Sequence, residues 1–310
     1  MGGIGLTERD TALLRQVLGD EAQHAVKNLC GFFACGPEAL SDFSLIPAGM
    51  TNRSLVFSHD GVRYVYRHPG GGPERGIDRR REKRALERAA ALGLDPSYLF
   101  ADAEKGWKLS RFVPDFRLPD YDSPEDTARV AAALRRLHAV QAPDIGLWPW
   151  EDAEALEREL GILAPEKLAA LAPLRRALAP LYDEVRADGV RPCFCHGDAY
   201  RNNWMLTPGS ETLLIDWEYA GQADPGVDTG YYILDAGWGP EESDAFLRQY
   251  LGEAYSERLR RHHLIYTALV GRYWVLWARH RLLCGTDTAD YLARWLAATE
   301  RWIHHLTSHN

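Results

Sequence analysis

The stretch that decides the fold runs from Cys193 to Glu218: Cys193-Phe194-Cys195-His196-Gly197-Asp198-Ala199-Tyr200-Arg201-Asn202-Asn203-Trp204-Met205-Leu206, then Thr207-Pro208-Gly209-Ser210-Glu211, then Thr212-Leu213-Leu214-Ile215-Asp216-Trp217-Glu218. Two short apolar runs flank a Thr-Pro-Gly turn, which predicts a hairpin, and polar residues stand where each run stops. His196, Asp198 and Asn203 lie before the first run and Asp216 follows the second, so the hairpin presents its acids at one end. A loop aspartate can take a proton from a hydroxyl, while an Asn and a second Asp supply hard oxygen donors of the kind Mg²⁺ prefers. That set of groups suits phosphoryl transfer from a nucleotide, and a polar turn held by Asx-type bonds is the plainer alternative.

The pattern H-x-D-x-x-x-x-N followed by I-D-W-E resembles the catalytic core of the protein-kinase-like small-molecule phosphotransferases, the choline and ethanolamine kinases and aminoglycoside phosphotransferases. The resemblance implies that Asp198 is the catalytic aspartate, that Asn203 and Asp216 hold magnesium, and that His196 braces the loop. It also implies ATP and Mg²⁺ as cofactors and an α+β, two-lobed, protein-kinase-like fold. The small lobe would carry a five-stranded antiparallel sheet with a helix, and the large lobe would be mainly helical. His196-Gly197-Asp198 departs toward the aminoglycoside enzymes, because choline kinases commonly carry Asn where Gly197 stands.

Composition sets outer limits. The 310 residues are 46% hydrophobic, ample for a packed core. Five cysteines, at 30, 35, 193, 195 and 284, show no C-x-x-C spacing, which argues against a disulfide framework or a zinc site and for a reducing cytoplasm. No apolar run reaches membrane-spanning length, and the N-terminal residues lack a signal-peptide pattern. With 36 basic against 44 acidic residues the net charge is −8, which disfavours nucleic acid and favours a small cationic partner. The one basic cluster, Arg79-Arg80-Arg81 with Lys83 and Arg84, is expected to be a solvated helix face.

Toward the N-terminus, Thr7-x-x-Asp10 predicts a capped helix through Leu13, Leu14, Val17 and Leu18. A loop containing Gly31 and Gly36-Pro37 follows. Strands are expected over Phe43–Pro47, Leu55–Ser58 and Val62–His68, with Asp60-Gly61 turning the chain between the last two. Gly49-Met50-Thr51-Asn52 falls where a kinase folds over phosphates, and it is similar to the choline-kinase loop of glycine, hydrophobic, Ser/Thr and Asn. Thr51 and Asn52 would therefore meet nucleotide. Period-2 geometry puts Val65 and Arg67 on one face of the third strand, and choline kinases resemble this chain in carrying Arg there. In the helix predicted from about Ile77 to Leu92, Glu82 matches the family glutamate that pairs with the strand cation. Strands over Tyr98–Asp102 and Trp107–Phe112 would complete the sheet. The division falls near Val113, with 1–113 the nucleotide-binding lobe and 114–310 the catalytic and substrate-binding lobe.

Beyond it the pattern is helical. Ser123-Pro124-Glu125-Asp126 caps a helix reaching His138, read as a capping or packing histidine, and two Ala/Leu-rich helices lie between Glu151 and Val185. Asp228 matches the family aspartate that anchors the catalytic loop, a role compatible with an ordinary helix N-cap. Trp274 and Trp277 share a helix face, more often a sign of core. Choline kinases carry a similar W-x-x-W around the quaternary ammonium, and Glu218 would complete that box. The expectation is an ATP-dependent kinase of a small cationic alcohol, choline or ethanolamine. An aminoglycoside-type enzyme and a nucleotide-binding pseudokinase scaffold are the alternatives.

Overall fold

The computed structural model describes residues 6–47, 52–69, 78–146 and 149–308. Gly49, Met50, Thr51 and Ile77 lie outside the described residues. The chain divides into two compact units, Met1–Ala91 with Asp95–Asp115, and Leu92–Leu94 with Phe116–Asn310.

The first unit is built on strands β1 (Leu40–Ile46), β2 (Arg53–His59), β3 (Val62–His68), β4 (Tyr98–Ala101) and β5 (Lys108–Arg111). They form one antiparallel sheet in the order β1-β2-β3-β5-β4. One sheet face presents Phe43, Leu55, Phe57, Tyr66 and Leu109, all buried, in a core shared with α1 (Glu8–Leu18) and α2 (Ala22–Phe33). Alternation along β3 therefore sends Tyr66 into the core and leaves Arg67 on the opposite face.

Thr7 caps α1, accepting from the Asp10 amide at 3.1 Å. The Asp10 carboxylate does more than close a capping box, since it accepts the Phe43 amide at 2.9 Å and so ties the helix to β1. The segment expected as a loop around Gly31 is instead α2, whose Ala22, Ala25 and Leu29 fall on one buried stripe. Gly31 is tolerated because burial of that stripe outweighs the ~1 kcal/mol propensity cost of one glycine. α3 (Arg79–Ala91) buries Glu82, Ala85, Leu86 and Ala89.

The second unit contains α4 (Pro124–His138), α5 (Pro149–Leu163) and α6 (Pro165–Ala187), then β6 (Cys193–Cys195), β7 (Trp204–Leu206), β8 (Thr212–Leu214) and β9 (Gly221–Ala223), then α7 (Gly226–Ala236), α8 (Pro240–Leu251), α9 (Glu257–Leu283) and α10 (Ala289–Thr307). β7 and β8 form the expected hairpin. β6 pairs instead with β9, through Cys193 with Ala223 and Cys195 with Gly221, a pairing too short to leave a period in the sequence. The core of the unit gathers α5, α6, α7, α9 and α10 around Tyr231, Trp274 and Trp295. α7 and α9 meet main chain to main chain at Gly230, where an added Cβ would stand 2.7 Å from the Thr267 nitrogen. Thr229 on α7 and His263 on α9 share a hydrogen bond of 2.8 Å beside that contact.

Candidate active site

The loop leaving β6 is fixed by groups buried behind it. Asp228 lies in the first turn of α7, whose N-cap is Pro225, so the N-cap role does not apply. Its carboxylate accepts the amides of His196 and Gly197, both at 2.7 Å, and the His138 Nε2–H at 3.0 Å. Burial alone would raise its pKa, but the His138 hydrogen bond and the nearby imidazoles carry it below the ordinary value, and it stays ionised. Gly197 takes φ +80°, a conformation that glycine adopts without strain.

His196 is fully buried. Its Nε2–H donates to the Ile215 carbonyl at 2.9 Å, and its Nδ1 accepts the Asp198 amide at 3.2 Å. Burial lowers its pKa, so the ring is a neutral brace between the two ends of the hairpin. The loop's far end is held by Asp235 on α7, which accepts the Arg201 amide at 3.1 Å and the Tyr121 hydroxyl at 2.5 Å.

Within that frame Asn203 donates its side-chain N–H groups to the Asp198 carbonyl at 2.8 Å and to the Asp198 carboxylate at 3.0 Å. The amide's carbonyl oxygen is thereby left as its metal-competent atom. Asp216 adopts left-handed backbone angles (φ 69°, ψ 65°), which Asp tolerates better than most residues, at the sharp exit from the hairpin. The Asn203 oxygen and the Asp216 carboxylate are an all-oxygen, hard donor pair of the kind that suits Mg²⁺. Asp198 itself is pushed well above the ordinary carboxylate value, first by burial and then by the negative charge of Asp216.

Aromatic groups gather near these acids. Burial and then the charge of Asp198 raise the Tyr200 phenol, and its ring lies 6.0 Å from Tyr231. Burial, then Tyr273, Glu218 and Asp198, raise the Tyr219 phenol well above its ordinary value, against a hydrogen bond from the Trp277 side chain that lowers it. The two indoles differ. Trp274 is only 4% exposed, stacked on Tyr231 at 4.7 Å and packed against Trp295 in the core. Trp277 is half-buried at the edge of that cluster, 5.5 Å from Trp274, with Arg281 over its ring.

In the first unit Arg67 Nη2 donates to Glu82 at 2.5 Å, both side chains being buried. The fold adds two cations to the pair. Arg79 donates to the other Glu82 oxygen at 2.7 Å, and Lys108 stands 3.9 Å away. Burial works against the Glu82 charge, but the Arg67, Lys108 and Arg79 charges prevail and lower its pKa. Arg67, Arg79 and Lys108 thus converge on one carboxylate, on the face that also carries Val65. Arg79 reaches the Asn52 side chain at 3.5 Å. It is therefore not part of a solvated face as expected, because its i,i+3 spacing to the buried Glu82 draws it inward.

The sequence reading missed Arg79, Lys108, Tyr200, Tyr219, Asp235 and the His138–Asp228 link. The position of Tyr200 two residues beyond Asp198 was a usable signal. Lys108, Tyr219, Asp235 and the His138–Asp228 link depend on pairings between distant segments, and Arg79 on the burial of its i,i+3 partner Glu82.

Comparison with known proteins follows the same lines. The profile of the phosphotransferase enzyme family (APH) matches residues 42–264. Protein LicA of Haemophilus influenzae is 26% identical over 276 residues, covering 83% of this chain and 79% of its own. A thiamine kinase of Salmonella paratyphi A is 30% identical over 224 residues, 68% of this chain and 70% of its own. Among solved structures, choline kinase LicA from Streptococcus pneumoniae has a TM-score of 0.77 at 24% identity, covering 94% of this chain and all of that one. A LicA structure in complex with AMP gives 0.74 at 25% identity, covering 92% and 98%. Since the profile spans well over half of the sequence, including both Arg67 and the whole of the Cys193–Glu218 stretch, the chain belongs to the phosphotransferase enzyme family.

Proposed function

We propose that this phosphotransferase moves the terminal phosphoryl group of ATP to the hydroxyl of a small cationic alcohol, with choline first and ethanolamine next. The observation that carries the reading is the position of Asp198: its carboxylate is oriented by Asn203 and its loop is fastened to α7 through Asp228. In its ionised form a carboxylate so held can accept the substrate's hydroxyl proton as the alcohol oxygen bonds to the γ-phosphorus and the bond to the β-phosphate oxygen breaks, releasing ADP. His196 keeps the loop in register.

Asn203 and Asp216 would hold Mg²⁺, which when bound supplies positive charge to the phosphate oxygens. Arg67, oriented by Glu82 and accompanied by Arg79 and Lys108, would meet phosphate oxygens. Val65, Thr51 and Asn52 would line the nucleotide, and the three cations gathered at Glu82 support this assignment. The complex of a LicA with AMP supports nucleotide use.

Glu218, Tyr200, Tyr219 and Trp277 would receive the cation, with Trp274 as the buried backing of that wall. A trimethylammonium group donates no hydrogen bonds, so aromatic faces and one carboxylate suit it. The thiamine kinase relative favours a second substrate of the same chemistry, since thiamine also combines a cationic nitrogen with a primary alcohol. ADP release in the presence of choline, ethanolamine, thiamine and kanamycin, each with and without Mg²⁺, tests the reading. Turnover of kanamycin with the first three inert would overturn the cationic-alcohol assignment.

A further inference from the structure

Cys193-Phe194-Cys195 has no metal-like spacing in the sequence, yet the fold supplies a third donor. Alternation along β6 places the two cysteine side chains on one face, with Sγ atoms 3.7 Å apart. His138, the last residue of α4, adds a ring nitrogen, and the three donor atoms lie within 4.8 Å of one another. All three are secluded: Cys193 is 3% exposed, Cys195 fully buried, and the His138 side chain 6% exposed. A disulfide would need about 2.05 Å between sulfurs. A tetrahedral ion with Zn–S bonds of ~2.3 Å has an S···S edge of about 3.8 Å, close to the observed spacing.

The imidazole is already oriented for ligation. Asp228 faces Nε2, so in the metal-binding form of the ring the proton sits on Nε2 and the lone pair on Nδ1. The Tyr250 hydroxyl donates to that lone pair at 2.7 Å. A carboxylate on the far nitrogen of a histidine is the arrangement that fixes metal-bound imidazoles.

From this geometry we infer that Cys193, Cys195 and His138 Nδ1 form a site for a thiophilic divalent cation of the zinc class, with the Tyr250 hydroxyl oxygen at the fourth corner. Binding draws the His138 nitrogen inward and turns the Tyr250 hydroxyl off Nδ1. Both thiols release their protons to solvent, and the two thiolates neutralise the ion, so no net charge is added to the interior. Because Asp228 also holds the His196 and Gly197 amides, the ion would be joined to the Asp198 loop through one imidazole and one carboxylate. Sulfur and imidazole donors do not suit Mg²⁺, so this site is chemically separate from the Asn203–Asp216 oxygens.

The test uses Co²⁺ as a spectroscopic probe and Zn²⁺ as competitor, in a full-length chain carrying Cys30→Ser, Cys35→Ser and Cys284→Ser. Thiolate-to-cobalt charge transfer with tetrahedral visible bands should saturate near one equivalent, be bleached by Zn²⁺ and be indifferent to Mg²⁺. Adding Cys193→Ser or Cys195→Ser should abolish the charge transfer or weaken binding at least tenfold. No charge-transfer band, or one that survives loss of both cysteines, overturns the site. Should these variants not fold, pulsed alkylation of the unsubstituted chain in urea just below its unfolding midpoint decides. Joint protection of Cys193 and Cys195 by Zn²⁺, reversed by a chelator, supports the site, and equal labelling with and without Zn²⁺ refutes it.

Discussion

Asn203 grips Asp198 twice, through the main-chain carbonyl at 2.8 Å and through the carboxylate at 3.0 Å. The two bonds fix the direction in which the acid points before any substrate arrives. Asp198→Asn keeps the shape and removes the proton acceptor. Its kcat should fall roughly 10²- to 10⁴-fold while the fold and nucleotide affinity persist. Circular dichroism, nucleotide titration and steady-state rates check this, and a loss below tenfold would exclude the acid–base role.

Arg67 and Glu82 come from different elements and meet at 2.5 Å. A double-mutant cycle on kcat/KM with Arg67→Ala and Glu82→Ala should give an interaction energy of about 0.5 to 3 kcal/mol. Arg79→Ala should couple to Glu82→Ala in the same sense, since both cations share one carboxylate. Strict additivity in both cycles would mean that the cluster has no part in catalysis.

The two indoles of α9 should separate by type of defect. Trp274→Ala leaves a hole in the core, and chemical denaturation should show a loss of about 3–5 kcal/mol. Trp277→Ala, at the half-buried edge, should leave stability nearly intact and raise the KM for choline about two- to thirtyfold, with the KM for ATP unchanged. Identical behaviour of the two variants would contradict the division.

His262 predicts a pH dependence of stability. Its ring is held by Asp188 at 2.8 Å and Asp224 at 3.0 Å, and despite burial, which lowers its pKa, the two carboxylates raise it above the ordinary histidine value. Arg258 near Asp188, with His263 and Tyr266 against the ring, completes its surroundings. A raised folded-state pKa contributes stability that is complete below about pH 6.5 and is lost as pH rises through the folded value. The stability difference between the parent and His262→Gln should therefore shrink as pH is raised from 6 to 9. His263, buried beside it, is lowered by burial and shifts in the opposite direction, and comparison with the His262 variant removes its contribution. A difference independent of pH would show that His262 is held as a neutral ring.

The five-stranded sheet was legible because each strand ends in a turn signal and because Tyr64 to Arg67 alternates faces. The hairpin was legible for the same reason. α2 was not, since Gly31 and Gly36-Pro37 signal a loop and only contact with the sheet explains the helix. The Asp198, Asn203 and Asp216 set could be read because its members sit close together in sequence. Lys108, Tyr219 and the His138–Asp228 bond could not, for each owes its place to packing across tens of residues, and Arg79 follows Glu82, whose burial is set by the same packing. Trp274 and Trp277 look equivalent on a helical wheel, and burial alone tells them apart.

Under the proposed function, Gly230 bears on which alcohols would be accepted. α7 bears Asp228, which fixes the Asp198 loop, and α9 bears Trp277. At Gly230 the two helices touch through main chain, which side-chain rotation cannot relax. Trp277 lies ten residues beyond Thr267, about 15 Å along the axis. Under the proposed function, the span from proton acceptor to aromatic wall would thus be a ruler cut in backbone, sorting alcohols by the methylenes between oxygen and charged nitrogen. Trimethylammonium alcohols lengthened by one carbon should lose roughly 10²-fold in kcat, as a misplacement of about 1 Å can cost, while KM changes little. Flat turnover across such a series would mean that the enzyme recognises its substrate by charge and is blind to its length.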